Sequence, residues 1–397
     1  MSTLSNRINN LSESETLAMA RLSAKLKSEG LDVINMCLGE PDFNTPDHIK
    51  QAAKNAIDQN FSYYPPVSGF PDLREAICRK FKRENNLDFS PANIIVSTGA
   101  KQSIANIVLS LVNPGDEVII PSPYWVSYKE VIKLAETNAV YVNAGIENDF
   151  KITPQQLEQA ITPKTKLFIF SSPCNPTGSV YSKEELKALA DVFALHEQIF
   201  ILSDEIYEHI NFSGVHESIA QFENIRKRVI IVNGVSKSFA MTGWRIGYMA
   251  ATVEIAEACN KLQGQITSGA CGIAQKAAVA ALSGDLNSVK TMLKAFHERR
   301  DLVVSLLKDI PNLKTNVPQG AFYVFPDASY YFGKIDGTTK ISNAPELCDY
   351  LLKKVYVATV PGDAFGDPNC IRLSYATSND LITKAISRLK IALDDLH

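Results

Sequence analysis

Five short apolar runs punctuate the middle of the chain: "NIIVSTG" (93–99), "DEVIIPSP" (116–123), "KLFIFSSP" (166–173), "IFILSDE" (199–205) and "RVIIVNG" (228–234). In each, apolar residues are consecutive rather than alternating, which predicts strands buried on both faces. Stretches of helical period follow the first three: "KQSIANIVLSLV", "WVSYKEVIKLAE" and "SKEELKALADVFALH". Strands separated by helices predict a mostly parallel sheet with crossovers, an α/β fold. After about residue 285 the pattern changes. A long charged helix over 286–308, the run "GAFYVFPD" and a last helix near 379–396 predict a second, smaller α+β unit. Pattern alone does not assign the first 45 residues to either unit.

Composition narrows the class of protein. The 397 residues are 45% hydrophobic and 21% charged, the profile of an ordinary globular chain with enough length for two units. A formal net charge of −3 argues against a nucleic-acid binder. The N-terminal "MSTLSNRINNLSESE" has no apolar core of a signal peptide, and no run reaches membrane-spanning length. The seven cysteines are scattered, odd in number and without a CxxC pair; reduced thiols in a cytoplasmic protein are expected. The six histidines show no HExxH spacing, so no catalytic metal is expected.

Ligands of such sheets sit beyond the carboxyl ends of the strands, so the residues just after each run are candidates for chemistry. Gly99, Ala100 and Lys101 stand where a strand gives way to a helix. Small residues there let an anion reach backbone N–H groups, although a plain tight turn is the alternative. The sequence is neither GxGxxG nor a P-loop. Tyr124 and Trp125 follow the second run. Asn175, between two prolines in "SSPCNPTG" (171–178), is either part of a rigid loop or an amide held stiffly as a donor. Asp204 and Tyr207 share one face at helical spacing. Asp204 is a helix cap, or the pair grips two ends of one heterocycle. Lys237 and Arg245 in "VSKSFAMTGWRIGY" are either solvated charges or site groups. Their small and apolar neighbours argue against full solvation. An enclosed lysine can lose its proton and become a nucleophile, and an arginine fork suits a phosphate. A phosphate cradle, acid, tyrosine, asparagine and lysine, each after a strand, are the parts that hold pyridoxal phosphate.

At these residues the chain resembles the fold-type I, pyridoxal-phosphate-dependent aminotransferases, in particular the class I aspartate aminotransferase family and its subgroup related to aspartate/prephenate enzymes. The resemblance runs the whole length. It also covers "LGEPDF" (38–43), "YYPPVSGFPDLREAI" (63–77), "PGDEVIIPSPYWVSY" (114–128) and "IRLSYATS" (371–378). It implies a large cofactor-binding domain over 46–285, with a mixed, mostly parallel sheet between helices. The small domain would combine 1–45 and 286–397. Lys237 would form the Schiff base with pyridoxal 5'-phosphate, Asp204 would pair with the ring nitrogen, and Tyr207 and Asn175 would bond the ring oxygen. Trp125 would stack on the ring. The backbone at Gly99, Ala100 and Lys101, with Ser236 and Arg245, would hold the phosphate, and Tyr64 would reach the phosphate of a neighbouring subunit in a homodimer with shared sites. Gly234 departs from the serine or alanine of many relatives. Arg372 would grip the substrate α-carboxylate, helped by Asn175 and the backbone of Gly39.

The resemblance implies ping-pong transfer between amino acids and 2-oxo acids. Lys101 and Thr16 match residues that meet the side-chain carboxylate of aspartate or glutamate. A lysine at a helix N-terminus is mildly disfavoured by the macrodipole, which supports a role for it. Members that act on prephenate carry a basic residue where this chain has Ser12, so aspartate/2-oxoglutarate activity with weak or no prephenate activity is expected. Alternatives are an aminotransferase for aromatic residues, alanine or prephenate, or a carbon–sulfur β-lyase on the same scaffold. A cofactor-binding transcription regulator fits less well, and a nicotinamide dehydrogenase lacks its glycine fingerprint.

Overall fold

The computed structural model describes residues 3–397. Its centre is a seven-stranded sheet of β1 (Ile94–Ser97), β2 (Glu117–Ser122), β3 (Asn138–Asn143), β4 (Thr165–Ser171), β5 (Phe200–Asp204), β6 (Val229–Gly234) and β7 (Gly247–Ala250). Their spatial order is β1-β7-β6-β5-β4-β2-β3. All neighbours are parallel except those of β7, which runs antiparallel to both β1 and β6. The sheet is thus mixed and mostly parallel.

The consecutive apolar runs are explained by what lies on either face. Ile94, Val96, Phe168, Phe170, Ile201 and Ile231 pack into one core with the helices Asp47–Asp58, Pro71–Lys80, Lys183–Ala194 and Gly272–Ser283. Their immediate neighbours Ile95, Leu167, Ile169, Leu202 and Ile230 pack into another, with Ala100–Leu111, Ser127–Leu134 and Val253–Ile266. Successive side chains point to opposite faces, so a strand covered on both sides must be apolar throughout. Two strands were not anticipated from the pattern. β3 is a half-exposed edge strand whose four apolar residues, 139–142, are consecutive but of which only Val142 is buried. β7 is only four residues long and starts two residues after Arg245.

Two further cores hold the rest of the chain. The helices Asn287–Lys308, Ala344–Val355 and Asn379–Asp394 surround strands Tyr323–Val324, Val360–Pro361 and Ile371–Ser374. The N-terminal segment joins them. Ile34–Asn35 pairs in parallel with Val357–Ala358, and Val33 and Cys37 pack with Leu352, Val360 and Phe365. Before that, the chain lies against the helix Ser127–Leu134. The Ser12 amide donates to Glu130 at 2.8 Å, and Arg7 pairs with Glu136 at 3.2 Å. The N-terminal arm therefore spans from the sheet side to the second set of cores, along the edge of the cavity described next.

Candidate active site

The carboxyl ends of β4, β5 and β6 open into a cavity of about 260 Å³. It collects side chains from both halves of the molecule. Every residue singled out from the sequence as a site residue lines it, other than Gly99, Tyr64 and Tyr124. Tyr124 is buried instead against Tyr141, with stacked ring centres 5.2 Å apart. Gly99 is the backbone turn just before Ala100. Tyr64 is 96% exposed on the outer surface, beside the exposed Tyr63.

One end of the cavity is built for an anion. The helix Ala100–Leu111 starts there with no side-chain cap and no acidic residue in its first turn, so its first N–H groups and its dipole face the opening uncompensated. Gly99 sits at φ 81°, and a Cβ at that position would lie 2.1 Å from the Arg245 guanidinium. Only glycine allows both the left-handed turn and this approach. Arg245 is itself left-handed at φ 57° and donates to the Thr242 carbonyl at 2.7 Å, which aims its fork at the same turn. Gly234 has a similar steric reason: a Cβ there would meet the Ile246 carbonyl at 2.9 Å and the Gly247 Cα at 3.0 Å. Close packing of β6 on β7 thus accounts for the departure from serine or alanine.

Asp204 ends β5 at the cavity floor. It accepts from the Tyr128 hydroxyl at 2.7 Å and the Ile206 amide at 3.3 Å. Burial raises its pKa to about 6, against these hydrogen bonds. A carboxylate in that position is poised to gain most from a cationic partner. Lys237 faces it from the turn after β6. Burial lowers the lysine to about 8, with Glu40 opposing and Arg245 and Arg372 assisting. Its ammonium donates to the Gly39 carbonyl and lies 5.7 Å from the Tyr207 ring centre. A lysine tuned towards neutrality in an enclosed site is a nucleophile and a proton carrier.

Tyr207 meets a residue the sequence reading had placed only in the smaller unit. Its hydroxyl is 2.8 Å from that of Tyr323. Tyr323 borders the cavity and would also be struck by a Cβ at Gly39, at 2.6 Å. Tyr128 was missed as well, although its spacing of three from Trp125 within a helical pattern was a signal for it.

Arg372 is 2% exposed and almost fully held. It donates to the Asn175 side-chain oxygen at 2.9 Å and the Cys37 carbonyl at 2.5 Å, over the rings of Tyr323 at 4.5 Å and Phe365 at 4.8 Å. Its Nε has no partner, an orphaned buried donor at the cavity wall. Such a group calls for an acceptor that enters the cavity. At the rim, Lys101 lies 5.1 Å over the Trp125 ring, and Thr16 and Ser14 approach from the N-terminal arm. Desolvation and the nearby Arg245 push Lys101 below its ordinary range. The cavity therefore has three cationic points, Arg245, Arg372 and Lys101, around one buried lysine and one buried acid.

Comparison with known proteins agrees with this arrangement. A family model described as aminotransferase class I and II matches residues 31–389. The chain is 48% identical over 397 residues to a bifunctional aspartate aminotransferase and glutamate/aspartate-prephenate aminotransferase of Petunia hybrida, covering 98% of this chain and 82% of that protein. The aspartate aminotransferase of Rhizobium meliloti superposes with a TM-score of 0.96 at 40% identity, with both chains fully covered. That of Thermus thermophilus, solved with maleate, gives 0.93 at 39% identity, covering 99% of this chain and 100% of the other.

Proposed function

The chain belongs to the class I and II aminotransferases, and on that premise we propose that it is an aspartate aminotransferase. It moves the amino group of L-aspartate to 2-oxoglutarate in a reversible ping-pong cycle, giving oxaloacetate and L-glutamate. The family's cofactor, pyridoxal 5'-phosphate, supplies an electron sink and a carrier for the amino group when bound. The donor set fits that group. An uncapped helix start, Ser236 and Arg245 suit a phosphate, buried Asp204 suits a protonated ring nitrogen, and Lys237 suits a carbonyl carbon. Tyr207 and Asn175 are assigned to the ring oxygen and Trp125 to the ring face.

The observation that carries the substrate reading is the orphaned Nε of Arg372, on a guanidinium otherwise fixed by Asn175 and Cys37. An α-carboxylate supplies the missing acceptor in a bidentate pairing. Lys101, at the opposite rim with Thr16, is assigned to a second carboxylate. A dicarboxylic amino acid satisfies both cations at once, and a relative of this fold has been solved with maleate, itself a dicarboxylate. Once displaced, Lys237 is the base that takes the α-proton and returns it, a task for which a pKa of about 8 is suitable.

The domain division is proposed as 46–285 for the cofactor-binding unit and 1–45 with 286–397 for the smaller one, supported by the pairing of Ile34 with Val357. A homodimer with shared sites is proposed from the cluster of outward tyrosines, Tyr63 at 82% and Tyr64 at 96% exposed, which have the character of an unburied contact surface. A cytoplasmic location is proposed from seven free thiols. No helix among the described residues is long and apolar enough to cross a membrane.

Prephenate is the second reading, because a relative carries that activity in its name. We place it below aspartate. Ser12 is engaged by Glu130 and by Lys133, whose ammonium is 3.5 Å from its hydroxyl, and it does not border the cavity. Faster turnover of prephenate than of oxaloacetate would reverse that order.

The deciding experiment is an absorbance spectrum of the purified protein. A visible cofactor band should be lost on adding aspartate alone and return with 2-oxoglutarate. A band indifferent to aspartate but responsive to another amino acid removes the substrate assignment. No band after loading with pyridoxal phosphate removes the role of Lys237.

A further inference from the structure

Behind the turn that carries Lys237, on the side away from the cavity, lies a buried ionic cluster that the reaction described above does not use. Lys80, fully buried, ends the helix Pro71–Lys80 just where the chain widens into one π-helical turn, Phe81–Asn85. Its ammonium donates to the Glu208 carboxylate and to Asn85 Oδ1 at 2.8 Å, and lies 3.7 Å from Glu84. Glu84 is in turn 2.8 Å from His209 Nε2. The other ring nitrogen, Nδ1, is 2.8 Å from the hydroxyl of Ser238, the residue next to Lys237. The imidazole also stands edge-on to Phe239, with ring centres 6.1 Å apart.

Three uses of this cluster can be weighed. Glu84, Glu208 and His209 have donor atoms close enough to share a metal ion. However, the Lys80 ammonium already sits against both carboxylates, so the negative charge is met. The order serine, histidine, glutamate is that of an activated nucleophile, but Ser238 is 1% exposed and does not border the cavity. The third use is support. Burial would raise Glu84, yet His209 and Lys80 hold it below its usual range, so it is an acceptor. Nε2–H thus donates to Glu84, while Nδ1 faces the Ser238 hydroxyl at 2.8 Å and the Glu208 carboxylate at 3.8 Å. The turn being supported is strained: Ala240 is left-handed at φ 50°, a conformation a non-glycine residue keeps only when its surroundings fix it. Removing one partner of a buried ion pair is far costlier than an exposed one, so the far end of the chain of contacts is firmly anchored.

We propose that His209 is a positioning residue for Lys237: anchored by Glu84 and Lys80, it fixes Ser238 and Phe239, and with them the turn that presents the lysine to the cavity. The proposal rests on the reading of Lys237 as the cofactor lysine, and its test separates the two. The protein is loaded with pyridoxal phosphate, and the pH midpoint of its visible band is measured for the parent, Ser238→Ala, Glu84→Gln, the double variant Ser238→Ala/Glu84→Gln, His209→Ala and His209→Gln.

Ser238→Ala and Glu84→Gln should each move the midpoint by about half a pH unit or more. The double variant should do no more than the larger single change, because the two act in series. His209→Ala should move the midpoint likewise, and His209→Gln, whose amide keeps one donor and one acceptor, should move it less. KM for aspartate should stay within about twofold, since no substrate contact is lost. Folded variants with the parent midpoint, or two shifts that simply add, overturn the proposal. Ser238→Ala removes a single hydroxyl and decides the matter alone if Glu84→Gln does not fold. A parent without a visible band overturns the cofactor reading instead. The pH midpoint of Lys237 acetylation by acetic anhydride, read by peptide mass spectrometry, then decides the positioning role by the same criteria.

Discussion

The hydroxyls of Tyr207 and Tyr323 lie 2.8 Å apart, and both residues are buried. Tyr207 belongs to the turn after β5, whereas Tyr323 opens a strand that pairs with Ser374, two residues beyond Arg372. One hydrogen bond thus links the element assigned to the cofactor with the strand assigned to the substrate carboxylate. Tyr323→Phe leaves the Tyr207 hydroxyl buried without this partner. The expected cost is about 1–2 kcal/mol of stability, with a shift in the pH midpoint of the cofactor band. Denaturant unfolding and a spectral titration check this. A variant matching the parent in both would show that the contact is incidental.

Arg372 is the group whose loss should be felt in substrate binding. A charged, bidentate contact contributes about 1.5–3 kcal/mol. Arg372→Lys keeps the charge but loses the fork and the bonds to Asn175 and Cys37. The value of kcat/KM for aspartate should fall by about 10–100-fold, with the visible band of the loaded protein retained. Steady-state kinetics beside a spectrum separate this outcome from cofactor loss.

Lys101 should govern which amino acid is preferred. In Lys101→Ala, the kcat/KM for aspartate should drop by about 10-fold or more while that for alanine stays within about twofold. The ratio of the two is the measurement. An unchanged ratio would mean that the second carboxylate is bound elsewhere, and the dicarboxylate assignment would fail with it.

The large sheet was legible in the sequence because burial on two faces forces unbroken apolar runs. β3 was not, because an edge strand is covered less and its pattern weakens. The site was legible where chemistry follows a strand directly, as at Asp204 and Lys237. It was less legible where a side chain reaches in from distant sequence. Tyr323 carries no local mark of its role and Tyr128 only its spacing of three from Trp125, since folding puts one against Tyr207 and the other against Asp204. The same holds for His209, which reads as one more polar residue in "SDEIYEH" until Glu84 and Ser238 are found on its two nitrogens.

Asp204 makes a prediction about stability and pH. Its pKa in the folded, cofactor-free chain is raised to about 6 from an ordinary 3.8. An acid raised on folding opposes folding when it ionises. Below about pH 3.8 both folded and unfolded states hold the proton, and there is no penalty. Between 3.8 and 6 the unfolded state alone releases it, so stability falls as pH rises, and above 6 the loss is complete. Two units at 1.36 kcal/mol each amount to about 3 kcal/mol. Asp204→Asn removes the titrating group and keeps one acceptor, for Tyr128 or for the Ile206 amide but not for both. Without cofactor, the variant should therefore be more stable than the parent at pH 7, by about 1–3 kcal/mol once a weaker hydrogen bond is allowed for. The advantage should shrink towards pH 4. With pyridoxal phosphate bound the order should reverse, because the parent carboxylate then has a cationic partner and the amide does not. Urea unfolding of both proteins at pH 4 and 7, with and without cofactor, tests each step. A parent that is the more stable protein at pH 7 without cofactor would mean that burial does not burden Asp204 as its surroundings imply.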